Sequence, residues 1–478
     1  MQVYVKSMLY KNTVTQRLST AEVARQANVH KDTLLRWLRA GLIPEPKRDR
    51  RGWRYFTATE AQSVVAFAQT SDEPSSAYAV AEPRASYLGR LNAIDWDFKD
   101  AKTAYLTHGI HPYPAKFIPQ IPNALIQELS SVGDTVADIF CGSGTTLVEA
   151  LTLKRHAIGV DANPLACLIS RAKTGLIAEP EHELLIALAA KAKTVGDSFS
   201  GNQVGGLFPP QIFISKAWRP NSDALSFWFE PFAIEELAEC LSWCRDINTE
   251  VARNLALAAF SSIVVTVSKQ DSDTRYVRRN KRLQPGEVFC RFSRALEQAT
   301  RTAIEFSELV EPRFKCNIVE ANILESPTLP KIDLVVCSPP YPNAYSYHLY
   351  HMTRMLWLGM DQPRFKRNEI GSHRKYSSNA KTAATAHTFR LEFETIMRWL
   401  GPVLKRNGYA AFVAGNSTLK GKRINNADLI SAAGRGVGFV EVLRIERTLQ
   451  TTKKAFNPTI GKIKTENILV LQNVGDRG

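Results

Sequence analysis

The chain lacks long apolar runs: no hydrophobic stretch approaches the roughly 20 residues that a membrane-spanning helix needs. Its N-terminus lacks the apolar core and the small-residue cleavage site of a signal peptide. The seven cysteines include no C-x-x-C pair, which argues against a disulfide framework and against a zinc site. His108 and His111 have no evident third ligand, so we expect no bound metal. These absences predict a cytoplasmic protein with no membrane contact.

Positive charge is what the chain has in excess. Lys and Arg number 61 against 46 Asp and Glu, which gives a formal net charge of +15. The 478 residues are 44% hydrophobic and 22% charged, an ordinary globular composition that predicts two or three domains. Excess positive charge favours a polyanionic partner, most simply a nucleic acid, although charge alone also fits a role in solubility.

The first part of the chain predicts a small helical domain. Ser19 and Glu22 form the pattern of a capping box, which predicts a helix with Val23 on its buried side. A tight turn and a second helix follow, with Leu34 on the apolar side of that helix. Two short helices about a tight turn make a helix–turn–helix.

Residues 18–68 resemble the winged helix–turn–helix of MerR-type regulators, on the stretches "GLIP" and "RGWRYFT". In that family the second helix enters the major groove and the wing touches the DNA backbone. The resemblance implies DNA contact for Arg36, Arg39, Arg51 and Arg54. The alternative is a helical packing module with a solvated basic face. We assign residues 1–70 to this DNA-binding domain and residues 71–107, which begin with a stretch rich in Ser, Pro and Ala, to a linker.

A Gly-rich turn follows a short apolar strand at residues 136–150, "VADIFCGSGTTLVEA". Such a turn lets the backbone approach a ligand at the carboxyl end of the strand. The stretch has no Lys for a P-loop, Cys141 replaces the first Gly of a nucleophile elbow, and Leu147 replaces the third Gly of a dinucleotide motif. We therefore expect a ligand less anionic than a pyrophosphate. Asp161 ends a second strand 23 residues after Asp138, where a carboxylate can accept hydrogen bonds from ribose hydroxyls.

Another apolar strand ends in "SPPY" at residues 338–341. Because proline has no N–H, this tetrapeptide cannot extend a sheet. The strand therefore ends by presenting a hydroxyl, two rigid carbonyl-bearing residues and an aromatic ring. An ordinary Pro-rich turn is the alternative.

Together, "DIFCGSGTT", "GVDANP" and "SPPY" resemble three motifs of S-adenosylmethionine-dependent DNA amino-methyltransferases, and "HGIHPYPAKFIPQIP" resembles the motif that covers the cofactor in that family. The resemblance covers roughly residues 108–475. It implies an α/β fold, a Rossmann-like sheet of seven mostly parallel strands with helices on both faces. We assign residues 108–478 to this methyltransferase domain, with S-adenosyl-L-methionine as cofactor and double-stranded DNA as substrate.

The resemblance also implies which residues hold the cofactor. Asp138 would orient the Gly-rich turn, Asp161 would hold the ribose, and Glu320 would lie near the adenine, with Asn322 as an alternative there. The full implied set is Lys116, Phe117, Asp138, Phe140, Gly142, Gly144, Thr145, Asp161 and Glu320.

The "SPPY" tetrapeptide suits methyl transfer to an exocyclic amine. The lone pair of that nitrogen is delocalised into the ring, so acceptors that hold its N–H bonds out of plane favour the transition state. The Ser338 hydroxyl and the Pro339 carbonyl can be these acceptors, Pro340 keeps the backbone rigid, and Tyr341 offers a face to a base flipped out of the duplex. By resemblance, Ser at the first position accompanies cytosine N4, whereas Asp or Asn accompanies adenine N6. We therefore predict cytosine-N4 methylation with these four residues as the catalytic set. Carbon-5 methylation would need a Pro-Cys dipeptide, which the chain lacks.

Residues 176–310 predict a helical and basic insertion, with helical runs such as "EHELLIALAAKA" and "IEELAECLSWC". One polar loop in it combines Arg275, Arg278 and Arg279 with an aromatic residue, a surface that suits a DNA strand. A second basic segment follows at residues 365–379, and either could read the DNA sequence. A solvated charge run is the alternative for both.

Three other functions stay open at this point. They are adenine-N6 methylation of DNA, methylation of RNA, and transcription regulation by a protein whose methyltransferase-like part is not catalytic. A DNA-type winged helix argues against RNA, and intact Gly142, Gly144 and Ser338 argue against a non-catalytic domain. The resemblance further suggests a restriction–modification role, with a cognate restriction endonuclease as a second partner.

Overall fold

The computed structural model divides into two compact units, residues 1–82 with 100–102 and residues 83–99 with 103–478. It describes residues 18–27, 29, 34–35, 37–38, 42–47, 54–70, 84–116, 118–200, 212–273, 275–342, 345–377, 384–419, 421–449 and 465–475. No helix among these residues is long and apolar enough to cross a membrane.

The smaller unit begins with the predicted capping box. Ser19 N–H donates to the Glu22 carboxylate at 2.7 Å, and Glu22 N–H donates to Ser19 Oγ at 3.3 Å. This cap opens the helix Thr20–Gln26, and Val23 on its inner side is fully buried. The remaining described elements are the paired strands Leu18–Ser19 and Tyr55–Phe56 and the helix Ala58–Thr70. The first helix and its buried side are therefore confirmed.

Seven strands form the central sheet of the larger unit. They are β1 (Thr135–Asp138), β2 (His156–Asp161), β3 (Cys316–Glu320), β4 (Ile332–Cys337), β5 (Leu404–Gly415), β6 (Phe439–Thr448) and β7 (Thr465–Asn473). Their order across the sheet is β6-β7-β5-β4-β1-β2-β3, and β7 runs antiparallel to both of its neighbours while the other pairings are parallel. The Rossmann-like methyltransferase sheet predicted from the sequence is confirmed.

The strand order reverses beside β1. The chain runs outward through β2 and β3 and then returns to β4 on the other side of β1. In open α/β sheets, ligands bind outside the carboxyl ends of the strands at such a switch point. The Gly-rich turn after β1 and the "SPPY" tetrapeptide after β4 therefore lie at the same edge of the sheet, side by side.

Helices cover both faces of this sheet, so its central strands are apolar throughout. Val335 of β4 packs with Phe393 in one apolar cluster, and Val336 packs with Leu147 in another. Successive side chains of a strand point to opposite faces, which is why a strand buried on both sides reads as a continuous apolar run. The helices outside the insertion span Arg84–Asn92, Gln120–Leu129, Thr145–Thr152, Pro164–Thr174, Tyr347–Tyr350, Met352–Leu358, Gln362–Asn368, His373–Ser377, Ala386–Val403 and Asn426–Arg435.

The predicted insertion is helical. Its described elements are the helices Glu179–Ser200, Ala224–Trp228, Pro231–Arg245, Glu250–Val264 and Glu287–Leu309 and a hairpin of strands Gln270–Ser272 and Arg275–Arg278. Both predicted helical runs are confirmed. Ala252, Ala256 and Ala259 are buried on the Glu250–Val264 helix, where small side chains let neighbouring helices approach closely.

The segment predicted as a linker is largely part of the larger unit. The helix Arg84–Asn92 buries Leu91, and Trp96 after it is also buried. Both side chains belong to the apolar cluster on one face of the sheet, and Arg447 Nε donates to the Trp96 carbonyl at 2.9 Å. The linker prediction is therefore wrong for residues 84–99, because two large apolar side chains anchor them. Residues 71–83 lie outside the described residues.

Candidate active site

The Gly-rich turn after β1 is built on left-handed glycines. Gly142 has φ of 49° and Gly144, which precedes the helix Thr145–Thr152, has φ of 77°. A Cβ at Gly144 would lie 2.9 Å from Ser170 Oγ and 3.2 Å from Ser170 Cα. Both the backbone conformation and the lack of space therefore require glycine at this position.

Asp138, the last residue of β1, holds the turn from inside. Its carboxylate accepts from Phe140 N–H at 3.1 Å and from Thr146 Oγ1 at 2.7 Å. The side chain is buried, and burial raises its pKa to about 7 against the ordinary value of 3.8. It thus lies where a residue that orients the turn must lie.

Asp161 at the end of β2 joins the turn from the neighbouring strand. Its carboxylate accepts from Gly142 N–H at 2.9 Å and from Asn163 N–H at 2.8 Å. Burial raises its pKa to about 6, and these backbone donors oppose that rise. Its two oxygens retain lone pairs beyond these bonds, so the carboxylate can still accept from a ligand.

A cavity of about 150 Å³ opens next to the ends of β2 and β3. Its lining includes Glu320 and Asn322, the two residues that the resemblance implies as alternatives near an adenine. The other lining residues are Ala162, Pro164, Ala321, Met360, Asp361, Arg364, Phe365 and Asn368. Sequence reasoning missed those from the helix Gln362–Asn368, because no local motif marks them and because Phe365 and Asn368 fall in the basic segment 365–379, which was considered only as a possible DNA-reading surface.

The "SPPY" residues sit at the end of β4, beside β5. Ser338 Oγ donates to the Val413 carbonyl at 3.2 Å, and the Tyr341 hydroxyl donates to the same carbonyl at 3.1 Å. The two hydroxyl oxygens lie 3.4 Å apart. With both protons directed to the Val413 carbonyl, the lone pairs of Ser338 Oγ can accept an N–H.

Tyr341 is also tied to the edge of the sheet by two residues that the sequence did not suggest. Its hydroxyl lies 3.4 Å from Glu466 Oε1 on β7, and Glu466 Oε2 pairs with Arg447 on β6 at 2.9 Å. Burial raises the pKa of Glu466, and the Arg447 charge opposes that rise. Both lie more than a hundred residues from "SPPY" in the sequence, so no local pattern could reveal them.

The segment that resembles a cofactor-covering motif does lie against the Gly-rich turn, through Tyr113. A Cβ at Gly142 would lie 3.5 Å from the Tyr113 ring, and that ring stacks on Tyr347 at 5.8 Å between centroids. Lys116 instead donates to the His108 carbonyl at 2.9 Å, and burial lowers its pKa. Phe117, the other residue predicted here, lies outside the described residues.

The chain is similar to DNA methylases. A family described as DNA methylase (N6_N4_Mtase) matches residues 38–171, and one described as MerR family regulatory protein matches residues 19–56. Type II methyltransferase M.MjaII of Methanocaldococcus jannaschii is 24% identical over 370 residues, which cover 60% of this chain and 69% of that protein. Type II methyltransferase M.MvaI of Kocuria varians is 32% identical over 187 residues, which cover 38% of this chain and 37% of that protein.

These matches support a DNA amino-methyltransferase. They also support a MerR-like N-terminal segment. The solved structure of TrmN from Thermus thermophilus covers 75% of this chain and 49% of its own at 10% identity, with a TM-score of 0.29 that is too low to carry an argument. The methyltransferase fold therefore rests on the sheet order and on the two motifs at its switch point.

Three of the arginines predicted to contact DNA in the N-terminal unit, Arg36, Arg39 and Arg51, lie outside the described residues. Arg54 pairs with Glu45 at 2.7 Å. In the insertion, Arg275 and Arg279 both pair with Asp271, at 3.2 and 3.4 Å. Arg278 lies over an aromatic ring. DNA contact stays a prediction for all seven arginines.

The raised pKa of Asp138 predicts a measurable dependence of stability on pH. The folded protein holds this proton up to about pH 7, whereas an unfolded Asp releases it near 3.8. The folded state thus binds more protons between these values, so the free energy of unfolding falls as pH rises from about 4 to 7. A difference of about three pKa units corresponds to at most about 4 kcal/mol.

Asp138→Asn tests this, because its amide can still accept from Phe140 N–H but cannot ionise. Urea titrations from pH 4.5 to 7.5 give the free energy of unfolding of both proteins. We expect the difference, variant minus wild type, to increase steadily with pH. A difference that stays constant over this range would contradict the assignment of a buried, readily protonated Asp138.

Proposed function

We propose that the protein transfers a methyl group from S-adenosylmethionine to the exocyclic N4 amine of cytosine in double-stranded DNA. The observation that carries the proposal is the Ser338 hydroxyl at the carboxyl end of β4, which donates to the Val413 carbonyl of β5 and keeps its lone pairs for an incoming N–H. The similarity to Type II methyltransferases supports a modification role in a restriction–modification system.

The described residues fit the cofactor. The left-handed turn at Gly142 and Gly144 brings bare backbone to the carboxyl end of β1. The methionine part of S-adenosylmethionine would lie against this backbone, beside Phe140 and Thr145. Asp161 would accept from the ribose hydroxyls, and the cavity beside Glu320 would hold the adenine. When bound, S-adenosylmethionine supplies an electrophilic methyl group.

The residues after β4 would act on the amine. Ser338 Oγ and the Pro339 carbonyl accept its two N–H bonds and favour the tetrahedral geometry that frees the nitrogen lone pair. The rigid Pro339-Pro340 backbone keeps that carbonyl aimed at the amine without reorganisation. The nitrogen lone pair would form the new N–C bond as the S–CH3 bond of the sulfonium breaks and leaves its electron pair on sulfur. The nitrogen would then release one proton to water.

Tyr341 would present its ring to the flipped base. Its hydroxyl is directed to Val413 and Glu466, which fixes the ring orientation, so stacking costs little further side-chain entropy. Glu466 and Arg447 would therefore position the Tyr341 ring.

The base assignment rests on Ser338. A neutral hydroxyl at the first position of the tetrapeptide accompanies cytosine in the family that the sequence resembles, and this chain has neither Asp nor Asn there. We accordingly favour cytosine N4 over adenine N6.

Nucleoside analysis tests the proposal. Unmethylated plasmid DNA and total RNA are incubated separately with the full chain and S-adenosylmethionine, digested, and analysed by mass spectrometry. We expect N4-methylcytosine in DNA only. N6-methyladenine would overturn the base assignment, and a product in RNA alone would overturn the substrate class. No product, from a protein that binds both DNA and cofactor, would favour a regulator.

A further inference from the structure

A half-exposed aromatic ring stands beside the basic hairpin of the insertion. Phe227, near the end of the helix Ala224–Trp228, is 50% exposed, and the Arg278 guanidinium lies over its ring at 5.1 Å from the centroid. A single exposed apolar side chain is ordinary on a protein surface, but this ring lies beside a basic hairpin. A flat ring next to a guanidinium is a surface on which another flat ring can stack.

The support behind this ring is rigid. The Trp228 ring meets Phe227 edge-on at 4.9 Å between centroids. Lys269, immediately before the hairpin, donates its backbone N–H to the Trp228 carbonyl at 2.6 Å and its Nζ to the Phe229 carbonyl at 3.3 Å. Phe229 is fully buried. The exposed ring is therefore held in place before any ligand arrives, which lowers the entropic cost of stacking.

The hairpin is tied to the chain that follows "SPPY". Thr353 Oγ1 donates to Gln270 Oε1 at 3.2 Å. Arg354, fully buried, donates through Nε to the Ser261 carbonyl at 2.9 Å and pairs with Asp273 of the hairpin turn. The helix that carries both residues lies shortly after the catalytic tetrapeptide. These bonds fix the hairpin relative to the candidate active site.

The positive charge of the hairpin segment indicates a polyanionic partner. Residues 269–282 contain six basic side chains and two acidic ones, a net charge of +4. Arg279 on this segment is 72% exposed despite its bond to Asp271. A partner that is both polyanionic and rich in flat rings is a nucleic acid.

We propose that Phe227 and Arg278 form a stacking platform for a nucleobase of the DNA strand that the hairpin holds beside the active site. This inference rests on the proposed function, since it takes the substrate to be DNA. Phe227 acts on the base, and the surrounding arginines act on the phosphates. The two kinds of contact predict different dependence on salt, because only phosphate contacts release counterions.

The test measures DNA affinity of the full chain by fluorescence anisotropy at several salt concentrations, using a labelled duplex with one unpaired base. Phe227→Ala should raise Kd roughly 5- to 100-fold and leave the slope of log K against log salt unchanged. Arg279→Ala should reduce the magnitude of that slope by about one. Trp218→Ala is the matched control, because Trp218 is 51% exposed and lies beneath Arg245 at 4.3 Å, outside the hairpin.

We expect Trp218→Ala to bind DNA like the wild type. The platform would be overturned if Phe227→Ala had the same Kd for DNA as the wild type, or if Trp218→Ala raised the Kd as much as Phe227→Ala does. Melting temperatures check that each variant is folded, and Phe227→Leu, which keeps the apolar bulk but not the flat face, should also bind weakly. A methylation assay on the wild type separates the stacking platform from the proposed function. If the wild type methylates DNA and Phe227→Ala still binds DNA normally, only the platform is overturned. If the wild type methylates RNA alone, both the platform and the proposed function are overturned.

Discussion

Ser338→Ala should lower the rate of methyl transfer roughly 100- to 1,000-fold, the usual cost of removing one acceptor or donor that acts in a transition state. The reason is geometric: Ser338 Oγ donates its proton to Val413 and keeps its lone pairs for the amine. Single-turnover assays with saturating cofactor and DNA measure the rate directly. Affinity for both ligands should stay within about twofold of wild type, because the lost contact strengthens only as the nitrogen becomes tetrahedral.

Tyr341→Phe is the comparison for this experiment. It removes the hydroxyl that donates to Val413 and lies near Glu466 but keeps the ring. We expect a smaller loss, about tenfold, since positioning weakens while the stacking face remains. Full activity of Ser338→Ala would contradict the role of its hydroxyl, and loss of cofactor binding in that variant would mean that Ser338 is structural.

Gly144→Ala should destabilise the protein by about 3 kcal/mol or more and weaken cofactor binding at least tenfold. A side chain at this left-handed position is strained by about 1 to 2 kcal/mol. In addition, its Cβ would meet Ser170 at 2.9 Å, close to the backbone of the neighbouring helix. The turn must shift to relieve that contact, and the shift moves the backbone that we propose lines the cofactor.

Gly133→Ala separates strain from crowding. Gly133 has φ of 90°, and a Cβ there would meet nothing within 4 Å. It precedes β1 and lies at the opposite edge of the sheet from the Gly-rich turn. We expect a cost of about 1 kcal/mol in urea unfolding and unchanged cofactor affinity by isothermal titration calorimetry. Equal effects of the two substitutions would show that the space around Gly144 is not what requires glycine.

Local motifs carried most of the sequence prediction. The turn at Gly142 and Gly144, its support by Asp138 and the strand end at Ser338 each depend on a few consecutive residues. The local structure of such stretches can be predicted because glycine and proline have known effects on the backbone. The sequence placed Asp161 at the end of a second strand but did not predict its contact with Gly142. That contact arises because the parallel strands β1 and β2 end at the same edge of the sheet.

Contacts between segments that are distant in the sequence could not be predicted from the sequence. Glu466 contacts Tyr341 because β7 lies beside β5, and a single Glu in a strand gives no sign of its partner. Phe365 reaches the cavity beside β3 from a segment that reads as a basic loop. The linker error has the same origin, since only the tertiary structure shows which apolar cluster Leu91 and Trp96 join.

The most direct test of the central claim follows a trideuterated methyl group from S-adenosylmethionine into nucleosides. Wild type and Ser338→Ala are incubated with unmethylated plasmid DNA, and the digest is analysed by mass spectrometry. We expect N4-(trideuteromethyl)cytosine from the wild type and at most about one per cent of it from the variant at equal times. Label in N6 of adenine would contradict the base assignment. Equal labelling by both proteins would contradict the proposed site.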